Sequence, residues 1–79
     1  MNITLEELYA HKLDVISFRK ELFALYKKYD LTISHEDGQG AFEIYPYDEH
    51  KVKWMDEAFE REVKELNEKI KVKELERLL

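Results

Sequence analysis

The sequence predicts an α+β domain, spanning residues 1–79, in the order helix, β-hairpin, helix. Both helices are expected to pack on one face of a two-stranded antiparallel sheet. Apolar residues recur at steps of three and four in the first and last thirds of the chain, which is the helical period, and alternate with polar residues in the middle, which is the strand period. Both glycines and the single proline lie in the middle segment "SHEDGQGAFEIYPY", where a hairpin needs its turn and its end.

The first helix is predicted over residues 4–29. Thr4 and Glu7 have the spacing of a capping box at its start. Lys27 and Lys28 favour the negative pole of the helix dipole at its end. The apolar residues form two neighbouring stripes, so we expect this helix to be covered on more than one side.

The hairpin is predicted over residues 30–46, with strands in "LTISH" and "AFEIY". Asp37-Gly38 is a strong turn signal because glycine accepts the positive φ that hairpin turns require. Pro46 ends the second strand because it has no N–H to donate to a strand ladder.

Strand alternation predicts which face of the hairpin meets the helices. The apolar set, expected to face them, consists of Leu31, Ile33, Phe42 and Ile44. His35 continues this phase, so we expect a buried imidazole that supports the turn. Glu43, Tyr45 and Tyr47 follow the other phase and are expected to face solvent.

The second helix is predicted over residues 48–78, with Asp48 as its N-cap and a bend or restart near Lys71, where the apolar phase shifts. Its length, roughly 45 Å at 1.5 Å per residue, exceeds what we expect the small core to cover. The C-terminal stripe must fold back, pack on a second copy or cover a partner. We expect a homodimer formed through Val63, Leu66, Ile70, Leu75 and Leu79.

The net charge of −5 is unevenly distributed. Residues 30–62 carry ten acidic and three basic residues, a net of −7, whereas residues 1–29 and 63–79 each carry four acidic and five basic residues, a net of +1. Such a middle segment repels nucleic-acid phosphates and attracts basic protein surfaces. An ordinary solvated exterior explains the same charges about equally well.

No catalytic or cofactor motif is found in the sequence. There is no cysteine, which excludes disulfides and thiolate chemistry, and no phosphate-binding glycine loop. His35, Glu43 and His50 are candidate nitrogen and oxygen ligands for a metal ion, but alternation directs the first two to opposite sheet faces. We therefore expect no enzyme activity, no metal and no cofactor, with a small metal-dependent enzyme as the third alternative.

No apolar run approaches the roughly 18 residues of a membrane span. The start "MNITLEELYA" lacks the basic-then-apolar pattern of a signal peptide. We therefore expect a cytoplasmic protein without membrane contact.

The segment "FRKELFALYKKYDLTISHEDGQGAFEIYPYDEHKVKWMDEAF" resembles small proteins encoded by phages and prophages of Gram-positive bacteria. In that family an "LSHEDGxGxF" hairpin lies between two helices and is followed by a "Y…W" segment. The likeness covers about residues 15–60 and leaves out the C-terminal tail. It implies a phage-borne accessory protein and supplies no catalytic residues, and short phage genes often encode proteins that bind and disable a host or defence protein.

These observations predict a non-catalytic inhibitor or modulator that binds a basic surface on a bacterial host or defence protein. The predicted contact residues are Glu36, Asp37, Gln39, Glu43, Tyr45, Tyr47, Asp48 and Trp54. Tyrosine and tryptophan beside carboxylates are typical of binding surfaces, and direct nucleic-acid binding is not expected. The alternative is a self-associating structural or regulatory domain that dimerises through its C-terminal helix.

Overall fold

The structure, a computed structural model, describes residues 3–35 and 40–79. Four elements follow one another along the chain: α1 (Leu5–Tyr29), β1 (Leu31–His35), β2 (Phe42–Pro46) and α2 (Glu49–Leu78). This α+β helix–hairpin–helix order, with a long C-terminal helix, confirms the predicted fold class. The predicted bounds differ from the observed ones by one residue.

α1 begins and ends through local hydrogen bonds. The Thr4 side chain accepts from the Glu7 N–H (3.1 Å), and the Glu7 carboxylate accepts from the Thr4 N–H (3.4 Å), so the predicted capping box is present. At the other end Asp30 adopts a left-handed conformation with φ 57°, and its N–H donates to the Tyr26 carbonyl. Asparagine and aspartate tolerate this region better than other non-glycine residues, and the reversal starts β1 immediately after α1.

The two helices pack side by side in antiparallel directions. Polar contacts tie them together along their length: Glu6 with Arg77, Tyr9 with Glu74, and Arg19 with Asp56. Phe59 of α2 packs against Phe18 and Phe23 of α1, with ring centroids 5.9 Å apart in each pair. α2 therefore folds back along α1. No helix in the described residues is long and apolar enough to cross a membrane.

The main cluster of buried hydrophobic side chains lies at the end of the helix pair that is remote from the hairpin, and Tyr26 is buried separately, near β1. Leu66 and Ile70 of α2 are buried against Leu5 and Leu8 of α1, with Val15 packed beside them. The core is local because the first turns of α1 cover only this part of α2.

This core corrects the assignment of Leu66 and Ile70 to an oligomerisation surface, because α1 of the same chain already covers them. Val63 is half-buried, and of the predicted stripe only Leu75 and Leu79 remain exposed. α2 is continuous to Leu78, so the helix does not restart at Lys71.

β1 and β2 pair in antiparallel register, with Thr32 opposite Tyr45 and Ile33 opposite Ile44. β1 contacts both helices, whereas no Cα atom of either helix lies within 8 Å of a β2 Cα atom. β2 is therefore the outer strand, and it ends at Pro46 as predicted.

The predicted assignment of the two sheet faces is wrong. Thr32 is 0% exposed, and Glu43 and Tyr45 on the same face are half-buried. The apolar face is the uncovered one: Phe42 is 67% exposed and Ile44 is 70% exposed.

Short connections explain why the polar face is covered. Alternation determines which side chains share a face, but the links to the helices determine which face meets them. One residue, Asp30, joins α1 to β1, and two residues, Tyr47 and Asp48, join β2 to α2. Thr32 is small enough to be enclosed there, and its hydroxyl donates to the Pro46 carbonyl (3.2 Å), so its burial leaves no unpaired hydroxyl.

Candidate binding cleft

A cleft of about 640 Å³ lies between the hairpin and the first two turns of α2. Its lining side chains come from both strands and from α2: Ser34, His35, Glu43, Tyr45, His50, Lys51 and Trp54. Trp54 lies roughly 140° around α2 from Phe59, the residue that faces α1. The cleft therefore forms where the covered sheet face meets the side of α2 turned away from α1, and we call it the hairpin cleft.

Asp48 organises the helix at the base of this cleft. Its carboxylate accepts a hydrogen bond from the His50 N–H (2.9 Å) and pairs with the Lys51 Nζ (3.2 Å). The bond from the His50 amide, followed by that from Lys51, holds the pKa of Asp48 below its usual range. The charge of Asp48 is thus engaged in the first turn of its own helix, as the predicted N-cap.

One aromatic ring of the cleft already carries a cation. The Lys51 ammonium lies 4.5 Å from the centroid of the Tyr45 ring, which is cation–π geometry. Lys51 therefore occupies one face of the Tyr45 ring in this structure.

His35 connects the cleft to the uncovered face of the sheet. Its ring centroid lies 6.2 Å from that of Trp54 and 6.1 Å from that of Phe42, the latter edge-on. His35 is exposed, so the expectation of a buried imidazole is wrong. His35 lies on the apolar face of the sheet, as predicted. It is exposed because that face is the uncovered one.

Carboxylates supply the negative charge at this end of the molecule. Within the described residues Glu43 makes no ion pair, and Glu49 and Glu57 are exposed on the first turns of α2 without one. Asp56, in contrast, is paired with Arg19. The acidic groups available near the cleft are therefore fewer than the sequence count suggested.

The structure brings together three of the predicted contact residues, Glu43, Tyr45 and Trp54. Asp48 borders the cleft as the helix cap, and Tyr47 is not part of its lining. The remaining predictions, Glu36, Asp37 and Gln39, lie outside the described residues.

Sequence reasoning missed Ser34 and Lys51 as parts of this site. Lys51 follows the cap residue Asp48 by three positions, a spacing that predicts a pair on the first turn. That signal was present in the sequence. For Ser34 the sequence contains no signal beyond strand alternation, which places it on the same sheet face as the buried Thr32.

The three candidate metal ligands, His35, Glu43 and His50, all line the cleft, although strand alternation separates the first two. Across the described part of the chain, no group of three or more histidine, aspartate or glutamate side chains is arranged to hold a metal ion.

The fold and the cleft define a small helix–hairpin–helix domain with a recess beside its hairpin that is lined by aromatic and charged side chains. No protein-family model matches the chain, and neither a curated protein nor a solved structure is significantly similar to it.

Proposed function

We propose that this is a non-catalytic, phage-type accessory protein that acts in the bacterial cytoplasm. In this proposal it binds a basic surface on a host or defence protein and inhibits or modulates that protein. The observation that carries the proposal is the meeting of Glu43, Tyr45 and Trp54 in one concave site.

The chemistry of the hairpin cleft suits an arginine or lysine side chain from the partner. Trp54 lines the site with an indole ring, which is the best cation–π acceptor among the side chains. Glu43 supplies a carboxylate, which a guanidinium binds through two parallel hydrogen bonds. The position of Lys51 over Tyr45 supports this proposal, because it is an intramolecular example of the same contact.

The surrounding charges favour approach of a basic partner. Glu49 and Glu57 are exposed on α2, the helix that supplies His50, Lys51 and Trp54 to the cleft. Complementary charge mainly raises the association rate and the specificity of an interface. Glu36, Asp37 and Gln39 of the turn, with Tyr47 and Asp48, stay contact residues in this proposal.

The first test uses the intrinsic fluorescence of Trp54, the single tryptophan of the chain. An arginine-rich peptide should change its emission in a salt-sensitive titration, and a glutamate-rich peptide of equal length should not. Glu43→Lys should weaken the affinity for the arginine-rich peptide at least about tenfold, which corresponds to roughly 1.4 kcal/mol. The reason is that an attractive charge becomes a repulsive one.

The matched control is Glu68→Lys, which makes the same charge change at an exposed position further along α2. It should bind the peptide almost as well as the wild type. Equal losses in both variants would mean that net charge, and not the cleft, attracts the peptide. A pull-down from bacterial lysate with the same three proteins should show a partner retained by the wild type and the control and lost from Glu43→Lys.

The second candidate function is a self-associating structural or regulatory domain that dimerises through the end of α2. The observation that favours it is the exposure of Val72, Leu75 and Leu79 on the last turns. In this case the acidic residues would be a solvated exterior, and Glu43→Lys would leave the behaviour of the protein unchanged.

A further inference from the structure

An apolar surface lies on the side of the hairpin away from Thr32, Glu43 and Tyr45. It includes exposed residues from both strands and from the end of α1: Leu25, Tyr29, Leu31, Phe42 and Ile44. All of these except Phe42 border one groove, whose other lining residues are Leu22, Tyr26, Thr32 and Ile33. We call this surface the apolar hairpin face. Contiguous apolar surface of this kind marks interaction sites in folded proteins.

The chain as a whole exposes more surface than a monomer of its size should. Its accessible area is 6507 Å², whereas a folded chain of 9.6 kDa is expected to expose about 5,100 Å². The excess of roughly 1,400 Å² exceeds the about 800 Å² that each partner buries in a standard interface. The chain is also elongated, 51 × 29 × 19 Å, which contributes to this large surface.

β2 also presents an open strand edge beside this face. The Tyr47 N–H donates to the Asp30 carbonyl (2.9 Å). Antiparallel pairing alternates along a strand, so the backbone groups of Glu43 and Tyr45 face β1, and those of Phe42 and Ile44 face away from it. No Cα atom of either helix lies within 8 Å of a β2 Cα atom, so no described helix or strand pairs with that edge.

We propose that a second copy of this chain pairs with β2 along this edge, antiparallel about a twofold axis at Ile44. The two hairpins then form one four-stranded sheet. Ile44 meets the partner's Ile44 through two reciprocal hydrogen bonds, and Phe42 lies opposite the partner's Pro46. Pro46 has no N–H to donate outward, so the pairing ends there.

Charge favours a second copy over an unrelated strand. The twofold axis sets Glu43 of each copy opposite Tyr45 of the other, in a pair whose Cα atoms are about 4.5 Å apart. Lys51 lies over the ring of Tyr45, so each Glu43 meets a Lys51 ammonium from the other copy. The edge is thus complementary to itself in hydrogen bonds, apolar side chains and charge, as a twofold interface requires.

The proposal does not rest on partner binding in the hairpin cleft, but both engage Glu43, Tyr45 and Lys51. The dimer is therefore tested at Ile44, whose side chain lies on the opposite face of the sheet. The absence of cysteine from the chain allows a single introduced cysteine to report contacts without background.

Ile44→Cys should form a covalent dimer under mild oxidation. In a hydrogen-bonded antiparallel pair the Cα atoms are about 5.5 Å apart, within the usual disulfide range. The reaction is followed by non-reducing gel electrophoresis over time.

Phe42→Cys is the matched control, because Phe42 lies on the same strand and face and is almost equally exposed (67% against 70% for Ile44). The twofold axis separates the two Phe42 positions by four residues, at least about 13 Å, which no disulfide spans. We expect Ile44→Cys to cross-link at least tenfold faster. Equal rates, or no cross-link from Ile44→Cys, would overturn the proposed pairing.

Sedimentation equilibrium provides a readout without covalent chemistry. The wild type should show a concentration-dependent dimer, and Ile44→Lys should be monomeric with an unchanged circular dichroism spectrum, because the side chain is exposed. If Ile44→Lys dimerises with undiminished affinity, the proposal is contradicted, and the end of α2 becomes the candidate dimer interface.

Discussion

At the scale of single residues, Thr32 and Tyr26 decide how the hairpin meets the helices. Both side chains are buried at this junction. The Thr32 hydroxyl donates to the Pro46 carbonyl, whereas the Tyr26 hydroxyl makes no hydrogen bond of normal geometry among the residues that the structure describes. Burial raises the pKa of Tyr26, an effect that the Ile33 backbone amide partly opposes. The junction therefore contains one satisfied and one unsatisfied hydroxyl.

Thr32→Val should destabilise the protein, because it keeps the branched shape and removes a satisfied donor. We expect a loss of about 1 kcal/mol in the free energy of unfolding, measured by urea denaturation followed by circular dichroism. Tyr26→Phe is the matched control, since it also removes a buried hydroxyl, but one whose interaction with the Ile33 backbone amide is weak, and it should destabilise less than Thr32→Val. Equal effects of the two variants would show that the Thr32 bond contributes no net stability.

At the scale of elements, α2 carries two kinds of apolar residue that the sequence does not distinguish. Leu66 is 3% exposed and packs against the start of α1, whereas Leu75 is 55% exposed. Both belong to apolar stripes at helical spacing. Their exposure differs because α1 covers Leu66 and does not cover Leu75.

Leu66→Ala should cost about 2–4 kcal/mol of unfolding free energy, because it opens a cavity in the core. That is a large share of the about 5–15 kcal/mol that stabilises a typical domain. Leu75→Ala should change it by less than about 0.5 kcal/mol. Thermal and urea unfolding of the two proteins measures the difference, and a similar loss in both would contradict the burial described above.

At the scale of the whole molecule, the main buried cluster and the candidate binding surfaces lie at opposite ends. The core of Leu5, Leu8, Leu66 and Ile70 closes one end of the helix pair. The hairpin cleft and the apolar hairpin face lie at the other end, so substitutions that test binding there leave the core intact.

Truncation after Phe59 should unfold the protein, because it removes Leu66 and Ile70 and leaves Leu5 and Leu8 without their partners. We expect the fragment to lose cooperative unfolding and most of its helical circular dichroism signal. Deleting only the last two residues, which are exposed, is the control and should preserve both. A fragment of residues 1–59 that unfolds cooperatively would show that the helix pair does not depend on this core.

The candidate site was predictable in its residue types but not in its geometry. Glu43, Tyr45 and Trp54 were selected for charge and aromatic character, and the structure places them in one cleft. The sequence predicted that Glu43 and Tyr45 lie on the solvent-exposed face of the sheet, and this prediction was wrong. Composition indicates which side chains suit a binding surface, whereas convergence on a cleft depends on how the sheet is attached to α2.

The sequence by itself determined the elements and their ends. The Thr4–Glu7 capping box and the Asp48 cap act over at most three residues, so local sequence contains all the information they need. The tertiary structure decided which sheet face is covered and which leucines form the core. Those choices depend on contacts between residues far apart in the chain and on one- and two-residue connections, and hydrophobic periodicity is the same for a covered face and an open one.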